Sequence, residues 1–401
     1  MRIAIINSFN VGSTGIIVRD IAETARSKGH KVFLCYPKSR TNKIKYKKED
    51  ILIGNRFSRN IGIFIEEFGG IYIANFFSTL QFIYKLKQIN PDIIHLHNLH
   101  GSYINIPLFF KYLKKSNKRI IWTFHDCWPF TGHCPHYITV NCDRWKNQCY
   151  NCPQYDKYPR TKYDNSRYLY KLKRKIFRSI SDLTVVCVSS WLSNQVAASF
   201  LSSYPRYVIS PGVNLSVFHP NYYNIKDFKI NIKQPFIIMG VATSWSANKG
   251  LYDYLELSKY LKSDEIIVLV GLENNIILPN NIIKIARTNS REELASLYTK
   301  ADVLLSLSKA ETFGLTIAES MACGTPVIVY NNTAQPEIVD INTGYVVEQG
   351  NISELYYSIE KIREKGKLAF SQNCINNVKK KYSVEVNVNK YIDIYENNIS
   401  D

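Results

Sequence analysis

The stretch Ser308-Lys309-Ala310-Glu311-Thr312-Phe313-Gly314-Leu315-Thr316-Ile317-Ala318-Glu319-Ser320-Met321-Ala322-Cys323-Gly324-Thr325-Pro326-Val327-Ile328 decides the fold. The apolar run before it, Val303 to Leu307, reads as a buried strand that delivers a loop. Gly314 lets the backbone approach a ligand closely. A helix is expected to begin there and to stop at Gly324. Its free N–H groups and its dipole suit a diphosphate. Glu311 precedes the helix, and Glu319 lies inside it after seven intervening residues. A carboxylate accepts several hydrogen bonds, which suits sugar hydroxyls. An arbitrary glutamate is a solvated surface residue; the apolar, glycine-marked surroundings argue for a site here.

The pattern repeats outward from this stretch. Strands are expected at Phe236 to Val241, Ile266 to Gly271, Ile282 to Ile285 and Pro326 to Tyr330, with helices between them. Lys249-Gly250 follows the first of these, and Lys249 is expected to head a helix. A cation there can stabilise charge developing on a leaving diphosphate. The first half alternates in the same way. Strands are expected at Ile3 to Asn7, Lys31 to Tyr36, Asp92 to His97, Arg119 to Phe124 and Leu183 to Ser189. A loop holding Gly12 and Gly15 follows the first, and a helix is expected over Ile16 to Lys28. Such alternation means parallel sheets covered on both faces, an α/β fold. Two doubly wound domains would bind ligands at the carboxyl ends of their strands.

The boundaries expected are 1–207 for an N-terminal domain, 208–385 for a C-terminal domain, and 386–401 for a helix returning to the first. Pro205 to Pro235 reads as the junction. Residues 127–159, rich in Cys, Pro, Asn and Tyr, break the period and read as an insertion that needs a local tie.

A chain of 401 residues, 45% apolar, can bury substantial cores. Its start resembles a first strand rather than a signal peptide. The nearest candidate for a spanning helix, Ile61 to Leu86, is broken by Glu66 and Glu67. Net charge is +18. A basic surface suits nucleic acid, anionic lipid or a phosphorylated substrate. The charge sits in short clusters mixed with aromatics, at 110–115 and 168–178, without a nucleic-acid-binding motif. A phosphate-rich substrate at a membrane surface explains this better than nucleic acid. The basic helices either rest on an anionic bilayer or are ordinary solvated faces. Five of the nine cysteines fall between Cys127 and Cys152, and the odd total argues against a disulfide framework.

With these residues in view, the segment around Glu311 and Glu319 resembles the E-x7-E signature of the family 4 glycosyltransferases. The resemblance runs from the N-terminal glycine loop to Glu337. It implies the GT-B fold, two Rossmann-like domains facing across a cleft, with the donor nucleotide on the C-terminal one. By this resemblance Glu311 contacts the transferred sugar and Glu319 the ribose. Thr312 lies beside them, and backbone amides of Phe313, Gly314 and Leu315 hold the phosphates. Lys249 matches the family's K-G motif. Many relatives carry an arginine five or six residues earlier, whereas Ala242 to Asn248 has no basic residue. Either Lys249 and the backbone act alone, or a cation such as Arg287 joins them; Arg287 could equally lie near the base.

His125 ends a strand where relatives have a functional histidine, so Glu311, His125 and Lys249 form the expected catalytic set. Gly15 is expected on the donor side. Gly12, His97, His100 and Asp126 are expected on the acceptor side, or in loop architecture. The stretch His125-Asp126-Cys127-Trp128-Pro129-Phe130-Thr131-Gly132-His133-Cys134, followed by Cys142, Cys149 and Cys152, resembles a sub-group common in bacterial surface-polysaccharide clusters. Cys134, Cys142, Cys149 and Cys152 could supply four thiolates to a structural Zn²⁺; the alternative is a set of reduced, partly buried thiols. No catalytic metal is implied.

The expected protein is a cytoplasmic, membrane-associated enzyme. It would transfer a sugar from UDP- or GDP-sugar, with retention, to a glycan acceptor, lipid-linked, in polysaccharide assembly. The alternatives are a nucleotide-sugar epimerase and a non-catalytic glycan- or partner-binding protein. A dehydrogenase is disfavoured because no G-x-G-x-x-G follows the first strand.

Overall fold

Continuous apolar runs force strands that are buried on both faces, and the first is typical: Ile3, Ala4, Ile5 and Ile6 are fully buried. The structure, a computed structural model, describes residues 1–39, 42, 47–69, 73–221, 234–273 and 276–397. Two units emerge, Met1–Ile209 with Val388–Asp401, and Ser210–Asn387.

The first unit runs β1 (Arg2–Ile6), α1 (Gly12–Ser27), β2 (Lys31–Pro37), β3 (Ile51–Ile53), α2 (Arg56–Glu67), α3 (Phe76–Ile89) and β4 (Ile93–Leu96). It continues with α4 (Ile106–Ser116), β5 (Arg119–Phe124), α5 (Ser166–Phe177), β6 (Leu183–Cys187), α6 (Ser190–Ala197) and β7 (Arg206–Val208). The strands form one parallel sheet in the order β3-β2-β1-β4-β5-β6-β7. Local chemistry sets the helix starts. Asn55 caps α2 in a reciprocal pair with Ser58, and Asn105 caps α4 ahead of Pro107.

The glycine loop is shorter than expected. Helix α1 begins at Gly12, so Gly15 lies in its first turns, buried against the Asn10 carbonyl. A Cβ at Gly15 would stand 2.5 Å from that carbonyl carbon, which explains the glycine by packing rather than by a loop. The expected junction also shifts. Arg206–Val208 is strand β7, paired with β6, while residues 222–233 of that tract lie outside the described residues.

The insertion at 127–159 consists of turns and 3₁₀ segments at Trp128–Phe130, Ile138–Val140 and Arg144–Lys146. Its tie is aromatic: buried Trp145 packs 5.0 Å from Phe130 and 4.8 Å from Tyr137, centroid to centroid.

The second unit runs β8 (Phe236–Val241), α7 (Leu251–Leu257), β9 (Glu265–Val270), β10 (Ile282–Ile285), α8 (Arg291–Lys300) and β11 (Val303–Ser306). It continues with α9 (Leu315–Ala322), β12 (Val327–Tyr330), β13 (Gly344–Val347), α10 (Ile352–Lys365), α11 (Leu368–Lys381) and the start of α12 (Val384–Glu396). Its parallel sheet has the order β10-β9-β8-β11-β12-β13. Both sheets therefore share the Rossmann order, which reverses between the first and fourth strands in each unit. The last residues of α12 belong to the first unit. There Tyr395 Oη bonds His95 Nδ1 at 2.6 Å, and Tyr391 Oη accepts from Thr123 at 3.3 Å.

Candidate functional site

In a doubly wound sheet the crevice opens where the strand order reverses, at the carboxyl ends of two neighbouring strands. In the second unit these are β8 and β11. Their loops are bound together, because the Lys309 N–H donates to the Asn248 carbonyl at 2.9 Å. Lys249 comes from the first loop and Glu311 from the second, and Nζ meets Oε1 at 2.5 Å. Their side chains are 37% and 22% exposed, so the pair stays within reach of a ligand. Gly250 permits this approach. It has φ +74°, and a Cβ there would lie 2.3 Å from the Leu307 carbonyl oxygen.

The loop carrying Glu311 is held on its own backbone. The Glu311 N–H donates to Thr333 Oγ1 at 2.9 Å, and its carbonyl accepts from the Ala334 N–H at 3.2 Å. Buried Gln335 accepts from Ser306 at 2.6 Å and donates to the Ser308 carbonyl at 2.8 Å. Lys249 is not at the head of α7, as expected; it closes a 3₁₀ turn, Ala247–Lys249, and Gly250 starts the helix. The left-handed Gly250 separates the two, which points the lysine at the β11 loop instead.

Helix α9 starts after Gly314, with no side chain capping it. Its first N–H groups remain available to an anion. Thr312 is half-buried, whereas the Phe313 ring is buried 5.5 Å from Tyr382, so only its backbone can serve a ligand. Glu319 is buried within α9, and Tyr298 Oη donates to its Oε2 at 3.4 Å. Burial pushes the Glu319 carboxyl up to about 7, against the opposing pull of Arg291 and Tyr298. Arg287 is exposed beyond the edge strand β10. Arg291, one turn further on, is the cation whose field reaches Glu319; its guanidinium also lies 5.0 Å over the Phe218 ring. Nothing in the local sequence separates Arg291 from any helix-start arginine, and sequence reasoning missed it along with Tyr298 and Gln335.

In the first unit, β4 and β5 bring their ends together. His97 Nδ1 and His125 Nε2 share a hydrogen bond at 2.9 Å, and the Trp122 indole N–H holds the His97 carbonyl at 2.9 Å. Burial lowers His97 well below the ordinary imidazole range and His125 to about 4, so both rings are neutral at neutral pH. His97 Nε2 is buried and has no hydrogen-bond partner among the described residues. His100 bridges Asp126 Oδ2 and the Tyr158 hydroxyl, each at 2.9 Å. Burial acts to raise Asp126, but His100, together with His136 and the Trp128 N–H, holds the carboxyl below its usual range. His100 and Asp126 are thus locked to each other, and Tyr158 joins them from the insertion. Gly12, with φ +72°, sits at the head of α1.

Cys134, Cys142, Cys149 and Cys152 line one pocket of the insertion. The Gly132 N–H donates to Cys149 Sγ at 3.1 Å. Among the described residues no three His, Cys, Asp or Glu side chains stand in a metal-holding arrangement, so a zinc would have to draw these thiols closer together.

A model described as Glycosyltransferase Family 4 matches residues 14–217. The chain belongs to glycosyltransferase family 4. A second model, Glycosyl transferases group 1, matches residues 224–381 of this family 4 glycosyltransferase. It is 23% identical over 295 residues to a putative colanic acid biosynthesis glycosyl transferase, WcaC, of Escherichia coli K12, covering 71% of each chain. Among solved structures it resembles sucrose-phosphate synthase from Thermosynechococcus elongatus, with TM-score 0.73 and 16% identity over 99% of this chain and 98% of that one. It also resembles Anabaena HepE in complex with UDP-glucose, with TM-score 0.69 and 14% identity over the full length of both. The family 4 glycosyltransferase accordingly has the GT-B fold, built from two Rossmann-like domains.

Proposed function

We propose that this glycosyltransferase moves a sugar from a UDP- or GDP-sugar to a glycan acceptor during surface-polysaccharide assembly, retaining the anomeric configuration. The observation that carries the reading is the Lys249–Glu311 pair where the β8 and β11 loops meet, beside the uncapped start of α9. The solved complexes of a similar fold with UDP and UDP-glucose support the donor class, and the name of the Escherichia coli relative supports the pathway class.

In this reading the donor diphosphate lies at the start of α9, with the Lys249 ammonium against it. Glu311 accepts from hydroxyls of the transferred sugar, and Glu319 from the ribose. Neutral His125 hydrogen-bonds a sugar hydroxyl at the reacting centre. The bond from the anomeric carbon to the phosphate oxygen breaks. The acceptor oxygen bonds that carbon on the same face, and the departing phosphate takes the acceptor's proton. No carboxylate base is needed, and catalysis rests on positioning and electrostatics. The enzyme is proposed to act at the cytoplasmic side, in peripheral contact with an anionic membrane that carries a lipid-linked acceptor. Zinc on the four clustered thiols, if loaded, is proposed as structural.

Calorimetric screening of UDP- and GDP-sugars should find one that binds the wild type and binds Glu311→Gln at least about tenfold more weakly. Proton NMR of the product then reads the anomeric configuration. Equal binding by the variant would remove Glu311 from the donor site, and an inverted product would end the retaining reading.

A further inference from the structure

Two neighbouring helices of the first unit turn apolar stripes toward solvent. In α2 these are Phe57, Ile61 and Phe64, followed at the same helical spacing by Phe68 just past its end. In α3 they are Phe77, Leu80 and Tyr84. Each of the seven is between 41% and 78% exposed. The two segments touch at two places. Gly62 of α2 stands against the Asn75 side chain that precedes α3, and Gly54 stands against Ser78. Seven large exposed apolar side chains on two adjoining segments are more than scattered surface residues explain.

Cations rim this face. Lys162 Nζ sits 3.8 Å over the Phe68 ring. A groove between α3 and α4 is lined by Lys87, Lys111, Lys115 and Lys118, with Tyr112 among them. From Phe76 to Lys118 the sequence holds six lysines and a single acid, Asp92, which is spent on the Arg2 N–H at 2.7 Å. Of the two acids at the end of α2, Glu66 is buried and bonded to Ser102, which leaves the half-exposed Glu67 against the lysines.

We propose that the α2–α3 face is where the enzyme lies on an anionic bilayer, with the aromatic stripes at headgroup depth and the α3–α4 lysine groove holding lipid phosphate. The proposal deepens the peripheral-membrane reading given above and rests on it. Charge selects the occupant. A second copy of a chain carrying +18 would bring like charge against this rim. A bilayer interface takes aromatic rings and lysines together, the rings in the boundary layer and the ammonium groups at the phosphates. The surface differs from the basic helix α5, which the sequence marks by charge but which shows solvent no comparable apolar stripe.

The full-length protein should be co-sedimented with vesicles of phosphatidylcholine alone and with about 30% phosphatidylglycerol. Wild type should bind the anionic vesicles, and less so as salt rises. Phe57→Ser/Phe64→Ser/Phe77→Ser should bind them at least about tenfold more weakly. Lys87→Gln/Lys111→Gln/Lys115→Gln should lose up to roughly a hundredfold and its preference for anionic lipid, at about 1 kcal/mol per lysine. All these side chains are exposed, and an unchanged thermal melt checks that the variants fold. A third variant, Tyr168→Ser/Lys171→Gln/Lys175→Gln on α5, should bind as wild type. If it alone loses binding, the α2–α3 assignment is overturned while the membrane reading survives. If wild type binds no vesicle, both fall, and donor binding remains a separate measurement. A concentration-dependent dimer abolished by the phenylalanine variant would overturn the proposal in favour of a second copy.

Discussion

Replacing Lys249 by alanine should separate catalysis from stability. Two unit charges at the 2.5 Å observed between Lys249 and Glu311 attract by about 2 kcal/mol under water-like screening. Both side chains are partly open to solvent, and the lysine must be ordered to make the contact. The net contribution to folding is then about 1 kcal/mol at most. A domain of this size would melt about 2–4 °C lower. The catalytic loss works differently. An ammonium held against a leaving diphosphate in a water-poor site is worth roughly 100- to 1,000-fold in kcat, or about 3–4 kcal/mol. Nucleoside-diphosphate release with the donor found by binding, alongside a thermal melt, measures both. Lys249→Arg should recover part of the rate, because it keeps the charge but changes the shape of the donor group. The double variant Lys249→Ala/Glu311→Gln should lose less than the product of the single losses, since the two groups touch. A Lys249→Ala enzyme within about threefold of wild type would refute the assignment of this pair to the leaving group.

Three further expectations concern the buried groups. Glu319 sits at about 7 in the fold against 4.5 ordinarily, so the native state holds the extra proton between those values; its contribution falls as pH rises from 4.5 through about 7, by roughly 3 kcal/mol, and Glu319→Gln should flatten that slope in melts of the ligand-free protein. His95 is lowered by burial to about 3 from 6.5, so the unfolded chain binds the proton first on acidification; stability is lost as pH falls from about 6.5 toward 3, and His95→Gln should reduce this loss without altering donor affinity. Metal analysis of reduced protein should find about one zinc per chain if the four thiols close on an ion, and a value near zero would leave them as packing groups.

The central strands were legible because burial on both faces leaves a continuous apolar run. Arg119–Phe124 and Phe236–Val241 occupy the same bounds in the structure as in the sequence reading, and so does one edge strand, Ile282–Ile285. The other edge strands were not. Ile51–Ile53 is too short to show a period, and Gly344–Val347 starts on a glycine and leaves its two middle residues open to solvent. The apolar segment from Ile61 to Leu86 could be judged only as too broken to span. That it forms two helices with apolar stripes turned outward required coordinates, because periodicity reveals a stripe but not what it faces. Gly15 misled for a related reason: a glycine that lets α1 pack on Asn10 looks the same in sequence as one that opens a loop. At the site, Glu311 and Lys249 stood out by motif. Arg291 and Tyr298 act on Glu319 from another helix, and no spacing along the chain encodes that.

The two units use one strand order but furnish it with opposite electrostatics. At the β8–β11 reversal the groups are ionic: an ammonium and a carboxylate in contact, an uncapped helix start, and Arg291 within reach of Glu319. At the ends of β4 and β5 the conspicuous groups are imidazoles that burial keeps neutral, with Asp126 already engaged by His100. A charged nucleoside diphosphate gains from the first set, where fixed charge costs no reorganisation. Neutral sugar hydroxyls gain from the second, where rings can both donate and accept without carrying charge into a buried place. Protonating His97 or His125 would remove an acceptor and bring a cation into a buried place. Acid should therefore leave acceptor use intact until pH falls to about 4, where His125 takes a proton, whereas donor affinity changes from about 7, where Glu319 does. A pH series comparing acceptor affinity with donor affinity tests this: acceptor affinity that already falls together with donor affinity near 7 would refute the division.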